Sequence, residues 1–238
     1  MQISVIIPMY NENKIIRDTA LQLSAYMEEN FESYEILFSD DGSTDGCGDT
    51  VRSLGLPSVR VVGYEKNQGK GCAVRTGMLE AKGELVLFTD ADLAYGVEVI
   101  GAIWNHYLST KGQTDVIIGS RAIHPDGYAG YTALRRLMSK VYVRVLGVVG
   151  GFRLSDSQCG CKAFSAEAAR EVFRRCEING FSFDFEAILW TEKLGYPIGE
   201  FPVRIVNHRE SKIHVLRDSV KMIRSVRKIR NRVRKQSI

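Results

Sequence analysis

The sequence predicts an α/β protein: one largely parallel sheet in three layers, with helices on both faces. Three observations carry that prediction. Short apolar, β-prone runs alternate with segments of helical period, which builds βαβ units with right-handed crossovers. The run Leu85-Val86-Leu87-Phe88 is continuously apolar, as a strand covered on both faces must be. It leads into Asp90-Ala91-Asp92, and open α/β sheets gather ligands at the carboxyl ends of their strands. With 238 residues, 45% hydrophobic and 25% charged, the composition is that of a globular protein with one large domain.

The elements follow in order. Ile3 to Pro8 reads as a buried strand stopped by proline, with Met9 to Asn13 as the loop at its carboxyl end. Ile15 to Glu29 places Ile15, Ile16, Ala20, Leu23 and Met27 on one helical face. Tyr34 to Ser39 is a second strand, ending in a turn from Asp40 to Gly46 in which Ser43, Thr44 or Asp45 caps the next helix. Val59 to Tyr64 is a third strand. Asn67-Gln68-Gly69-Lys70-Gly71 then opens a helix running through Ala81. Free amides at a helix start favour anions, so this loop reads as a phosphate cradle or as a structural turn. Val99 to Leu108 is a helix, and Asp115 to Gly119 a strand ending at Ser120-Arg121.

The second half is less regular. Tyr131 to Val149 reads as an amphipathic basic helix, and Asp156 to Lys162 as a polar knot before Ala163-Phe164. Phe181 to Lys193 is a helix whose acids, Asp184 and Glu186, sit among aromatics. Ile198 to Val206 contains Pro202 and therefore belongs at a sheet edge. From His214, Leu216, Val220, Ile223, Val226, Ile229 and Val233 recur every three or four residues, with basic residues between them.

Charge is uneven. The net charge is +4, yet residues 204–238 hold twelve Lys/Arg against two Asp/Glu, leaving an acidic body. A basic end predicts an anionic partner, a phospholipid surface or nucleic acid. Without interleaved aromatics it suits an interfacial helix better than a nucleic-acid arm, and a solvated helix packed on the body is the other reading. No stretch of about 18 apolar residues is present to span a membrane. Five cysteines without a C-x-x-C pair, and no signal-peptide pattern, predict reduced thiols in the cytoplasm. The absence of G-x-G-x-x-G argues against a dinucleotide cofactor. Trp104 and Trp190 read as core, and the scattered histidines as surface.

Along an extended chain residues i and i+2 face the same side, so Asp90 and Asp92 can share one cation. Carboxylate oxygens suit Mg²⁺ or Mn²⁺, ions usually completed by substrate phosphates. The competing reading is an exposed Asp-x-Asp turn.

Taken together, Pro8-x-Tyr10-Asn11-Glu12, Asp40-Asp41-Gly42-Ser43, Asn67-x-Gly69-Lys70-Gly71 and Asp90-Ala91-Asp92 resemble family 2 glycosyltransferases of the Rossmann-like GT-A fold. Gly119-Ser120-Arg121, Arg135-x-x-x-Ser139, Asp156-x-Gln158-x-Gly160 and Glu210-Ser211-Lys212 narrow the resemblance to the polyprenyl-phosphate (dolichyl-phosphate) glucose and mannose synthases. It covers residues 1–213, the predicted GT-A domain, and leaves 214–238 as a basic amphipathic tail. The resemblance implies that Pro8, Tyr10, Glu12, Asp40 and Asp41 hold the nucleotide, and that Asp90 and Asp92 place the metal on its diphosphate. Arg121, Arg135 and Ser139 then receive the acceptor phosphate, and Lys70 or Lys212 lies near the leaving diphosphate. A tyrosine packs on a base, acids accept from base or ribose donors, and arginine forks grip phosphate.

The expected reaction is inverting transfer of a hexose from a nucleotide-sugar to polyprenyl phosphate, on the inner face of the membrane with peripheral attachment to anionic lipid. The Asp156-x-Gln158-Cys159-Gly160-x-Lys162 form favours UDP-glucose over GDP-mannose. Two positions depart from the pattern: Ala94 replaces a glutamine common in mannosyl members, and His208-Arg209-Glu210-Ser211-Lys212 replaces Arg-Gly-Glu-Ser-Lys. The rival readings are a glycan hydroxyl acceptor with Asp156 as its base, and a silent nucleotide-sugar-binding protein.

Overall fold

The computed structural model describes residues 1–128, 143–207 and 215–236, with side chains from 225 onward in the last stretch. Seven strands form one sheet: β1 (Ile3–Met9), β2 (Tyr34–Asp41), β3 (Val59–Tyr64), β4 (Leu85–Phe88), β5 (Val116–Ser120), β6 (Lys162–Ser165) and β7 (Ile198–Pro202). Their order is β3-β2-β1-β4-β6-β5-β7. β6 alone runs antiparallel, to both β4 and β5, so the carboxyl ends of the other six lie along one edge. The order reverses between β1 and β4, and such a switch point opens a crevice at that edge.

The helices are α1 (Ile16–Asn30), α2 (Cys47–Ser53), α3 (Lys70–Glu80), α4 (Glu98–Ser109), α5 (residues 143–150), α6 (Ala166–Arg175), α7 (Phe183–Leu194) and α8 (Val215–Lys235). One face of the sheet is covered by α1, α2 and α4, through Leu23, Met27, Val51, Ile100 and Ile103. The other packs α3, α6, α7 and α8, through Val74, Met78, Val172, Phe185, Ile229 and Val233. Trp104 and Trp190 are core residues, as their helical spacing predicts.

Most predicted elements are present, with informative differences. β1 continues through Pro8 to Met9 rather than stopping. Thr89 N–H donates to Ile6 O, so Pro8, two residues on, faces the β4 side where that strand has ended and no ladder bond is lost. The next helix starts after Gly46, in the left-handed region at φ 80°, and not directly at a capping side chain. Asp45 still contributes, accepting from Cys47 N–H at 3.1 Å. β7 sits at the sheet edge and ends at Pro202, as that proline requires.

β6 and α6 are absent from the elements predicted above, although the spacing of Ala168, Ala169, Val172 and Phe173 behind Ser165 does mark α6 as an amphipathic helix. β6 is four residues long and begins with a lysine; α6 is charged along its outer side, although Ser165 caps it by accepting Ala168 N–H. The expected helix from Tyr131 lies largely outside the described residues, which show its end as α5. The basic C-terminal helix is present, and the part of its apolar stripe from Val226 onward is not free. Val226, Ile229 and Val233 are buried against the body, so of the two readings, packing on the body holds for this part. Among the described residues no helix is long and apolar enough to cross a membrane.

Candidate active site

Five segments meet at the carboxyl edge beside the β1/β4 switch. The first two are the loops after β1 and β2, and they are bonded to each other. Asn11 N–H donates to Ser43 Oγ at 3.0 Å, and Thr44 N–H donates to Asn11 Oδ1 at 2.9 Å. Asn13 N–H donates to Asp45 Oδ2 at 2.8 Å, and Thr50 Oγ1 donates to Asn13 Oδ1 at 2.6 Å. Asn11 takes φ 53°, a left-handed conformation that asparagine tolerates better than most residues. The result is a fixed shelf from which the Tyr10 ring stands exposed. Pro8 is the last residue but one of β1 beneath it, and Glu12 O accepts the Ile15 and Ile16 N–H groups at the start of α1. Burial works to raise the Asp45 carboxyl's pKa, but the amides of Asn13 and Cys47 outweigh it and hold it below the ordinary value.

Asp40 and Asp41 are the last two residues of β2. Asp40 Oδ1 accepts Ser43 N–H at 2.9 Å. Asp41 has a different task from the expected nucleotide contact. It is buried, and its carboxylate accepts Tyr64 OH at 2.7 Å, Asn67 Nδ2 at 2.8 Å, Gln68 N–H at 2.8 Å and Gly69 N–H at 3.0 Å. It acts on the site by holding the glycine-lysine loop.

That loop is not an amide cradle. Asp41 takes the amides of Gln68 and Gly69, while Asn179 O accepts those of Gly71 at 2.7 Å and Cys72 at 3.3 Å. What it offers the site is the Lys70 ammonium, whose Nζ donates to Asp90 Oδ1 at 2.5 Å. Burial works to lower the Lys70 pKa, but the carboxylates of Asp90, Asp184 and Asp92 outweigh it and raise it.

The Asp-x-Asp turn is held from several sides. Thr19 Oγ1, on α1, donates to Ala91 O at 2.7 Å. Val206 N–H donates to Ala94 O at 2.8 Å, and Asn207 Nδ2 to Leu93 O at 2.9 Å. Leu93 adopts φ 48°, a costly conformation for a branched residue, kept in place by its buried side chain. A Cβ at Gly160 would lie 2.2 Å from Asp90 Oδ2, so glycine lets that backbone close over the carboxylate. Among the described residues no third His, Cys, Asp or Glu completes a metal-binding group here. Two hard carboxylates on one turn, with the Lys70 cation already against one of them, suit Mg²⁺ or Mn²⁺ completed by diphosphate and water. They do not make a closed zinc site.

Because β6 runs antiparallel, residues 156–161 enter it from this same edge. Arg121 forks onto Asp156, Nε to Oδ2 at 2.6 Å and Nη2 to Oδ1 at 2.9 Å, and its backbone N–H adds a bond at 3.1 Å. Asp156 is fully buried with both oxygens engaged, which corrects the reading of it as a general base for a hydroxyl acceptor. Its place is behind Arg121, fixing the guanidinium. Arg135, Ser139 and Lys212 lie outside the described residues.

Sequence reasoning missed the role of Lys162. It is fully buried, with Nζ donating to Asp184 Oδ1 and Cys159 O, both at 2.6 Å, and lying over the Phe88 ring. Burial pushes the Asp184 carboxyl's pKa up, with Lys162 and Lys70 pulling against it. Asp90, Lys70, Asp184 and Lys162 thus form an alternating row of charge at the switch point. The available signal was a lysine at the end of the polar knot, just before Ala163-Phe164, and an aspartate between Phe183 and Phe185.

A switch-point crevice, an aspartate pair at the end of β4 and a lysine set against it, on this mostly parallel seven-stranded sheet, fit the GT-A fold of the glycosyltransferases. Residues 4–173 match the family described as Glycosyl transferase family 2, and the chain belongs to that family. It is 32% identical to a dolichyl-phosphate beta-glucosyltransferase of Trichomonas vaginalis, over 88% of this chain and 65% of that protein. It is 31% identical to the dolichyl-phosphate beta-glucosyltransferase of Dictyostelium discoideum, over 97% of this chain and 74% of that protein. Among solved structures, it resembles glucosyl-3-phosphoglycerate synthase of Mycobacterium tuberculosis in complex with Mn²⁺, UDP and glucosyl-3-phosphoglycerate. The TM-score is 0.68 at 21% identity, covering 98% of this chain and 79% of that one, a likeness of fold.

Proposed function

We propose that this protein is an inverting hexosyltransferase that moves glucose from UDP-glucose to a polyprenyl phosphate. The observation that carries the proposal is the Asp90-Ala91-Asp92 turn braced against Lys70, in a chain whose relatives at about 30% identity are dolichyl-phosphate beta-glucosyltransferases. Those relatives' names also favour glucose over mannose.

Tyr10 packs on the base from the shelf of bonded loops, with Asp40 beside it. Asp90 and Asp92 would hold Mg²⁺ or Mn²⁺, and the ion would supply Lewis-acid stabilisation of the negative charge on a leaving diphosphate. Lys70 supplies a second, fixed cation on the same side, and a preorganised charge of this kind costs no reorganisation during reaction. The acceptor is a phosphate monoester, with a second pKa of about 6, and so is mostly ionised at neutral pH without a general base. Asp156 committed to Arg121 fits a reaction that needs no carboxylate base. Arg121 orients the acceptor phosphate, a task the family resemblance also gives to Arg135 and Ser139, with Lys212 one of the two lysines it offers the diphosphate. Single displacement inverts the anomeric carbon, giving a β-linked product from an α-linked donor.

A lipid acceptor calls for peripheral attachment to the inner face of a membrane. The burial of Val226, Ile229 and Val233 on α8 supports this less than the sequence alone did. The exposed Val145 and Val148 beside Arg144 on α5 support it more. The test incubates the purified protein with Mn²⁺, polyprenyl phosphate and radiolabelled UDP-glucose or GDP-mannose, then extracts with butanol. Label should enter the organic phase from UDP-glucose. Transfer from GDP-mannose alone would overturn the donor, and a water-soluble product the acceptor.

A further inference from the structure

The buried carboxylate of Glu186 plays no part in the reaction outlined above, yet its contacts reach the site. It is 0% exposed and accepts the N–H groups of Glu177 at 2.9 Å and Ile178 at 2.7 Å. Its remaining partner comes from the C-terminal helix: Arg232 pairs with Glu186 through Nη2 and with Glu177 Oε2, at 2.7 Å, through Nη1. One residue beyond Ile178, Asn179 O receives the amides of Gly71 and Cys72. Arg75, on α3, ties the same segment at both ends, donating to Cys176 O at 3.2 Å and Asn179 Oδ1 at 2.9 Å.

The two glycines flanking Lys70 show how close this contact is. A Cβ at Gly69 would lie 2.5 Å from Asn179 O, and one at Gly71 would lie 2.4 Å from Ile178 O. The 177–180 backbone therefore presses directly on the turn that carries Lys70. Farther back in the chain, Val206 and Asn207 clamp the Asp-x-Asp turn. The residues leading into α8 and the end of α8 thus brace the two partners of the Lys70–Asp90 pair separately.

We propose that Arg232 is a positioning residue: through Glu186 and the 177–180 segment it sets where Lys70 stands relative to Asp90. The C-terminal helix is in this way a brace for the donor side of the site. The proposal rests on the reading of Lys70 as a diphosphate cation. It is local and directional. Loss of Arg232 loosens residues 177–180 and the first turn of α3, and leaves the acceptor side around Arg121 as it was.

The experiment compares Arg232→Ala, Arg232→Lys, Glu186→Gln and the exposed, charge-matched control Arg227→Ala, each confirmed folded by circular dichroism. Amide hydrogen exchange at Gly71 and Cys72 should rise roughly tenfold in Arg232→Ala and not in the control. The kcat/KM for UDP-glucose should fall roughly tenfold while KM for polyprenyl phosphate stays within about twofold. Arg232→Lys, which keeps the charge, should recover part of both, and Glu186→Gln, which keeps an acceptor for the two amides, should fall between. Unchanged exchange at Gly71 and Cys72 in folded Arg232→Ala and Glu186→Gln overturns the coupling. Wild-type protein that turns over no nucleotide-sugar overturns the proposed function instead, and the exchange result still decides the brace.

Discussion

Replacing Lys162 by methionine tests the row of buried charge most directly. Methionine keeps an unbranched apolar stem, so the change is chiefly the loss of the ammonium, with its bond to Asp184 and its place over the Phe88 ring. Lys162 is 0% exposed and Asp184 12% in its side chain, so the carboxylate left behind has little water to replace its partner. Removing one member of a buried pair costs about 3–5 kcal/mol. For a chain of this length that lowers the melting temperature by about 6–20 °C. The other cation that acts on Asp184 is Lys70, which is bonded to Asp90, and any drift toward Asp184 takes it from the site. Turnover of Lys162→Met should therefore fall even at temperatures where it is fully folded. Urea unfolding followed by circular dichroism measures the stability term, with an unchanged slope expected. The double variant Lys162→Met/Asp184→Leu removes both charges and should regain most of the lost stability. If the single variant unfolds within about 1 kcal/mol of wild type and the double variant is no better, the buried pair is not the constraint described here.

Three further outcomes follow. Asp92→Ala should leave the fold intact, lower turnover by at least about a hundredfold and weaken Mn²⁺ binding in water-proton relaxation; wild-type relaxivity in that variant would remove Asp92 from the metal site. Gly160→Ala should weaken Mn²⁺ binding with little loss of stability, because the new methyl meets Asp90 Oδ2 at 2.2 Å before it meets anything else. All five cysteines are buried, and burial raises the pKa of Cys47, Cys159 (to about 11), Cys161 and Cys176. At pH 8 their thiolate fraction is therefore below that of an ordinary thiol, and Ellman's reagent should react slowly with native protein and with five thiols after denaturation.

The sequence by itself determined the parallel strands, the helices between them and the order in which the site loops reach one edge. Each depends on local periodicity: Leu85 to Phe88 is apolar at every position because both faces are covered, and the aspartates follow because the strand ends there. What the loops do once they meet depends on the tertiary structure. Asp41 looks like a nucleotide ligand until Tyr64, Asn67, Gln68 and Gly69 are found around it. The glycine-lysine loop looks like an amide cradle until Asp41 and Asn179, the latter more than a hundred residues away, take its amides. Lys162 and Asp184 pair only because β6 enters the sheet antiparallel, a reversal that four residues cannot announce. The stripe of Val226, Ile229 and Val233 shows the same division. A helical period states which face of α8 is apolar, but a bilayer and a neighbouring helix satisfy that face equally well. The choice falls to α7, whose buried Trp190 and Ile188 lie in the same core as that stripe, and to Glu186, which binds Arg232.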